Sequence, residues 1–78
     1  MSQWHVYMVV CRDGSIYTGI AKDVQKRIET HNKGRGAKYT RSRRPVKLLK
    51  SWAVGRVGDA LRMEASIKKL PRSEKLNL

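Results

Sequence analysis

Acidic residues are scarce in this chain: six Asp and Glu stand against eighteen Lys and Arg in 78 residues, a formal charge of +12. A field of that sign and size attracts polyanions, and each phosphate neutralised releases counterions, so nucleic acid is the leading partner. Cysteine is scarcer still. Cys11 stands alone, which excludes an internal disulfide, and with only His5 and His31 to help it makes no zinc set. Beside Val9 and Val10 it reads as a buried, reduced thiol of an intracellular, cytoplasmic protein. No apolar run approaches the roughly 20 residues that cross a bilayer, and the first five residues do not read as a signal peptide. Binding to a membrane surface would want a basic amphipathic helix, whereas the basic residues gather in a glycine-containing loop. A Walker-type phosphate loop, a dinucleotide fingerprint, a Ser/His/Asp or Cys/His nucleophile set and the established groove-reading motifs are all missing.

What is present describes one folded domain over residues 1–78. Hydrophobic residues make up 40% of the chain with no low-complexity stretch, although a domain this small buries only roughly 60% of its unfolded surface. Residues 5–11 are β-branched, aromatic and apolar, as a central, doubly covered strand requires. Asp13-Gly14 is a hairpin turn signal, and residues 16–19 form the return strand. Asp23 is a good cap for a helix in which Val24, Ile28 and His31 recur at helical spacing, with Gly34 as its stop. Residues 33–45 form a basic loop holding Lys33, Arg35, Lys38, Arg41, Arg43 and Arg44, with Tyr39 among them and Lys47 just beyond. Residues 46–54 alternate loosely as a third strand. Asp59 is placed to cap a second helix whose buried face is Ala60, Met63, Ile67 and Leu70, and Pro71 ends it. Ser73 starts a last turn from which Leu76 and Leu78 pack back. The pattern predicts an α/β (α+β) domain with a small three-stranded, mostly antiparallel sheet flanked by helices.

Metal-assisted phosphodiester cleavage needs an acidic ligand, a base and cations around the phosphate. Asp13, Asp23 and Asp59 are taken by turn and caps, and Glu74 lies in the tail, which leaves Glu29 and Glu64. Glu64 sits at the edge of the second helix's core face, where it is equally placed for an i,i+4 pair with Lys68. Arg27 and His31, four apart, share a helical face on which an arginine can clamp a phosphate. Tyr7 and Tyr17 stand on the two arms of the hairpin. Taken singly, each has a structural explanation: a solvated arginine, a core histidine, strand tyrosines with their hydroxyls at the rim.

Their order is more specific. His5-Val6-Tyr7, then Tyr17-Thr18-Gly19, then Arg27, His31 and Asn32 on one helix, then Gly36-Ala37-Lys38-Tyr39-Thr40 with Arg44-Pro45, then Ala60-Leu61-Arg62-Met63-Glu64 with Ile67-Lys68-Lys69-Leu70: over residues 6–70 the chain resembles the GIY-YIG nuclease superfamily, and in particular its small standalone bacterial-type members. The resemblance implies a divalent-metal-dependent endonuclease or phosphodiesterase acting on DNA by structure rather than sequence, with a role of the DNA repair kind; RNA stays open. It implies Glu64 as ligand to Mg²⁺ or Mn²⁺, Tyr17 as general base, Arg27 as phosphate clamp assisted by His31 and Lys38, and Tyr7 as an orienting group. Gly19 would let the backbone approach the substrate, and Arg35, Lys38, Tyr39, Arg41, Arg43 and Arg44 would grip flanking nucleic acid. Some branches carry Tyr in place of His31, which leaves its role open among acid, base and positioning. A late polar residue of larger members has no assigned counterpart, and substrate choice falls to this domain or to a protein partner. The competing expectation is a catalytically idle nucleic-acid-binding module on the same scaffold.

Overall fold

The computed structural model describes residues 3–78. Strands β1 (Trp4–Val10), β2 (Ile16–Ala21) and β3 (Lys47–Gly55) form a three-stranded, antiparallel sheet in the order β2-β1-β3, so the apolar first strand is central, as expected. The hairpin between β1 and β2 closes at Asp13-Gly14. Gly14 takes φ +86°, a region L side chains avoid, and the Asp13 carboxylate accepts the Ser15 N–H at 3.0 Å.

Alternation along β1 sends its side chains to two small cores. Val6 and Met8 pack with Ala60 and Ile67 of α3 (Val57–Lys68) on one face. Val9 packs with Cys11, Val46 and Ile28 on the other, beneath α1 (Val24–Asn32). Tyr7 lies between Val6 and Met8 in sequence and therefore faces α1. Asp23 caps α1 by accepting the Lys26 N–H at 3.0 Å, and Gly34, at φ +80°, follows its end.

Three expectations are corrected. Asp59 does not cap α3: the left-handed Gly55 (φ +105°) turns the chain off β3 so sharply that the helix begins at Val57, and Asp59 lies inside its first turn, paired with Arg62. There its charge still complements the helix dipole. Leu76 and Leu78 do not pack back but remain 47% and 41% exposed. Their segment, α4 (Arg72–Leu76), is tied down by polar contacts instead, with Arg72 donating to the Gly14 carbonyl at 2.9 Å. The simple alternation along β3 fails as well. Its pairing slips between Met8↔Lys50 and Val9↔Leu48, which leaves Leu49 without a partner, and both Leu48 and Leu49 are exposed.

The basic loop is also more structured than expected. It contains a single helical turn, α2 (Lys38–Arg41), with Thr40 buried at its centre. Asn32, at the end of α1, fastens the far side of the loop by accepting the Val46 N–H at 2.7 Å and donating to the Val46 carbonyl at 3.1 Å. These two bonds imitate a strand pairing and deliver the chain into β3.

Candidate active site

Tyr7, from the central strand, extends its hydroxyl beneath α1 to His31, 2.6 Å from Nε2. On the other side of the ring, Nδ1 lies 2.9 Å from the Thr40 hydroxyl, which itself donates to the Ala37 carbonyl at 2.9 Å. The proton positions follow from taking the Thr40 hydroxyl as donor to Ala37. A hydroxyl has one proton, and Thr40's goes to Ala37; Nδ1 must then carry the proton of the contact with Thr40. Nε2 is left as an acceptor, and Tyr7 donates to it. Tyr7, His31 and Thr40 are each at most 1% exposed, so the relay is buried, with the Tyr7 hydroxyl end bordered by Arg27.

Two glycines make the room. A Cβ on Gly19 would stand 2.6 Å from the Tyr7 hydroxyl, and one on Gly36 would stand 2.1 Å from His31 Nδ1. Both are closer than any side chain tolerates. Gly19 is itself buried, so its missing side chain accommodates the protein's own tyrosine and not an open surface.

The electrostatics agree with a neutral pair. Burial pushes the Tyr7 phenol up to about 12, with the Arg27 guanidinium facing its hydroxyl and pulling the other way. Burial lowers the His31 pKa, and the Arg27 charge lowers it further. A protonated tyrosine therefore donates to an unprotonated histidine at neutral pH.

Around this relay the remaining residues form an open rim. The half-buried Tyr17 ring lies 6.4 Å from Tyr7 and meets His31 edge-on at 5.4 Å between centroids. Tyr39 stacks over Tyr17 at 5.9 Å, and the Arg43 guanidinium covers Tyr39 at 4.0 Å from its centroid. Lys68 of α3 brings its ammonium within 5.9 Å of Tyr17. Glu64 pairs with Lys68 at 3.3 Å, its side chain only 18% exposed, and its charge is close enough to raise the Tyr7 pKa. The hairpin, α1 and α3 thus bring Tyr7, Tyr17, Arg27, His31 and Glu64 to one place.

The basic loop residues divide. Arg35, Lys38 and Arg41 are exposed, with no side-chain hydrogen bond or ion pair among the described residues. Arg43 and Arg44 are engaged internally. Arg43 pairs with Asp13 at 3.1 Å and donates to the Tyr39 carbonyl at 2.8 Å. Arg44 donates to the Arg41 carbonyl at 2.9 Å and the Asn32 carbonyl at 3.3 Å. Sequence reasoning assigned no role to Thr40, Gly36 or Asn32. Their signal is the ordered run from Gly36 to Thr40, but nothing in its composition says that the threonine reaches a histidine nine residues earlier.

The GIY-YIG catalytic domain matches residues 3–77, and the chain belongs to that family. The family defines a nuclease-type domain whose members generally use divalent metal ions. Among its relatives, the chain is 49% identical to a UPF0213 protein of Staphylococcus saprophyticus and 50% identical to one of Staphylococcus aureus, in each case over the whole chain and 95% of the relative. The solution structure of a UPF0213 protein from Bacillus halodurans superposes with a TM-score of 0.60 at 44% identity, covering 96% of this chain and 80% of that one. An E. faecalis protein superposes with a TM-score of 0.64 at 35% identity, covering 99% and 81%. No helix among the described residues is long and apolar enough to cross a membrane.

Proposed function

We propose that this chain is a divalent-metal-dependent nuclease that cleaves DNA phosphodiester bonds by structure rather than sequence. The observation that carries the reading is the buried Tyr7–His31–Thr40 relay bordered by a rim of Tyr17, Arg27 and Glu64. A core alone has no need for a tyrosine donating to a neutral histidine whose tautomer is fixed by a third residue.

The donor set suits Mg²⁺ or Mn²⁺. The described residues contain no group of three His, Cys, Asp or Glu that would build a dedicated cage. What they offer is one half-buried carboxylate on an open rim, and Mg²⁺ commonly binds through one or two carboxylates while keeping water and phosphate oxygens. Glu64 would hold the ion once Lys68 gives way. When bound, the ion supplies charge neutralisation at the phosphoryl oxygens.

The protein's own steps are these. Arg27 holds the phosphate and stabilises charge as it develops. An attacking water gives a proton to the Tyr7 oxygen while the Tyr7 proton passes to His31 Nε2; the bond from phosphorus to the leaving oxygen breaks as the new one forms, and the leaving oxygen keeps the bonding pair and takes a proton from solvent. His31 ends as a cation that still donates through Nδ1 to Thr40. The resemblance assigns the base to Tyr17, but a phenol can relay a proton only to a waiting acceptor. Tyr7 has one; Tyr17 has none among the described residues. Tyr17 is read instead as the wall that positions the water.

The test is cleavage of a panel of labelled single-stranded, nicked and branched DNAs with Mg²⁺ or Mn²⁺. Wild type should cleave at least one of them, EDTA should stop it, and Tyr7→Phe, His31→Ala and Glu64→Ala should abolish it. Equal, EDTA-insensitive cleavage by wild type and Glu64→Ala would sink the metal reading. One observation favours the idle binding module: Glu64 already has a counter-ion in Lys68. That reading wins if salt-sensitive binding persists, no substrate is cut, and Glu64→Gln changes nothing.

A further inference from the structure

Between the hairpin end, the end of α1 and the residues that follow α2 lies an open cleft of about 530 Å³ lined by Arg12, Asn32, Arg41, Ser42, Arg44 and Pro45. Three of its six lining residues are arginines and none is acidic. The ion pairs among the described residues are Arg43–Asp13, Arg62–Asp59 and Lys68–Glu64, so none reaches Arg12, Arg41 or Arg44. Three exposed arginines with no acidic partner make this concavity electropositive and draw an anion to it.

Part of the wall is also fixed before anything binds. The Arg12 backbone N–H donates to the Arg43 carbonyl at 2.9 Å, which joins the hairpin to the loop. Arg44 is oriented by the Arg41 and Asn32 carbonyls, and Asn32 by both polar groups of Val46. Arginine in a held orientation is suited to fork-like bonding of a phosphate, where a lysine would offer only a point charge.

We propose that Arg12, Arg41 and Arg44 form a second phosphate site, separate from the Tyr–His–Glu cluster, that takes a backbone phosphodiester of the nucleic acid away from the bond being cut. This rests on the nuclease reading for the identity of the polyanion, and it adds Arg12, which no motif singles out. A strand held both here and at Arg27 is gripped at two points, which orients it without reading its sequence.

The experiment measures binding of a labelled single-stranded oligonucleotide in EDTA across a salt series, for wild type and for Arg12→Ala/Arg41→Ala. Arg44 is left intact because it holds the loop. The double variant should lose roughly tenfold in affinity, and its log–log salt slope should shrink by about 0.7, the value for one single-strand phosphate contact. Lys22→Ala/Arg56→Ala removes the same charge from the opposite end of the sheet and should leave more of both. Equal losses in the two double variants, or an unchanged slope in the first, overturn the site. So does saturation of the cleft arginines by inorganic phosphate without competition against the oligonucleotide. Wild type that binds through these arginines yet cuts nothing would end the nuclease reading alone; wild type that cuts with an unchanged slope in Arg12→Ala/Arg41→Ala would end this one alone.

Discussion

Replacing Thr40 by valine tests the relay with the least collateral damage. Valine fills the volume of threonine, so no cavity opens in a site that is 0% exposed. Two hydrogen bonds vanish, and they are not equivalent. The Ala37 carbonyl still accepts the backbone N–H of residue 40 at 3.1 Å, so it is not stranded. The His31 Nδ1–H has no other partner and is left buried. An unsatisfied buried donor costs about 1–3 kcal/mol, so a loss of about 2 kcal/mol is expected. For a domain of this size that corresponds to a fall in Tm of about 8–16 °C. The histidine can escape part of the cost by moving its proton to Nε2, which then donates to the Tyr7 oxygen and no longer accepts from it. Either outcome disables Nε2 as an acceptor or loosens the ring, and cleavage should fall roughly 10²–10⁴-fold, the range for loss of a general base. Thr40→Ser keeps the hydroxyl and should retain the rate, at a stability cost of about 1 kcal/mol for the missing methyl. Nitrogen chemical shifts of the His31 imidazole report the tautomer directly. A Thr40→Val protein with the Nδ1–H tautomer and wild-type cleavage would refute the role given to this threonine.

Other substitutions probe the same geometry from outside. Gly36→Ala puts a methyl group 2.1 Å from His31 Nδ1, where neither backbone nor buried ring can yield freely; urea unfolding should show a loss of about 1–3 kcal/mol, and cleavage should fall with it. Arg43→Ala removes an exposed ion pair with Asp13 and the cover over Tyr39; a destabilisation of about 1 kcal/mol is expected by the same measurement, with cleavage reduced but not abolished. The pH dependence follows from the two shifts. With His31 depressed below its ordinary 6.5, the unfolded chain binds a proton that the folded one refuses, so stability is lost as pH falls from 6.5 through the folded value. With Tyr7 raised from 10.0 to about 12, its contribution is fully present below pH 10 and is lost as pH climbs toward 12. Thermal unfolding across both ranges should show these losses, and His31→Gln should flatten the acidic one. Cleavage should fall on acidification with a midpoint below 6.5, as His31 takes the proton that blocks it.

The hairpin and α1 were legible because local chemistry dictates them. Asp13-Gly14 can hardly be anything but a turn, and Asp23 caps the helix it was expected to cap. The face of α1 that holds His31 followed from spacing alone. Asp59 misled because a good capping residue lay four positions beyond the glycine that ends β3, and the left-handed Gly55 set the boundary instead. The exposed Leu48 and Leu49 were invisible for another reason: a bulge depends on how two strands meet, which no single segment records. At the site, the members were named by their order along the chain, but their connections were not. Spacing cannot say that Tyr7 and His31 touch across 24 residues, or that a loop threonine completes the bond. Those contacts are made by packing, and only there does the reason for Gly19 and Gly36 emerge.

The shortness of α2 then has a physical reason. In one turn, Lys38–Arg41, three successive side chains leave in three directions: Tyr39 over Tyr17, Thr40 beneath His31, Arg41 into the arginine cleft. A longer helix would carry the chain away from both the ring and the hairpin end, since each further turn adds about 5.4 Å along its axis. An irregular loop would leave Thr40 without the fixed register that lets one hydroxyl bridge Nδ1 and the Ala37 carbonyl. The anchors at either side enforce the turn: Gly36 fits against the histidine ring, and Arg43 locks onto Asp13 and the Tyr39 carbonyl. The positive charge of the loop therefore does two separate things. Arg43 is spent on holding the turn in place, Arg44 holds the turn and also lines the cleft, and Arg35, Lys38 and Arg41 are left free to meet a polyanion. Counting the basic residues as one uniform patch would overstate the affinity they supply and miss that part of the charge stabilises the site itself.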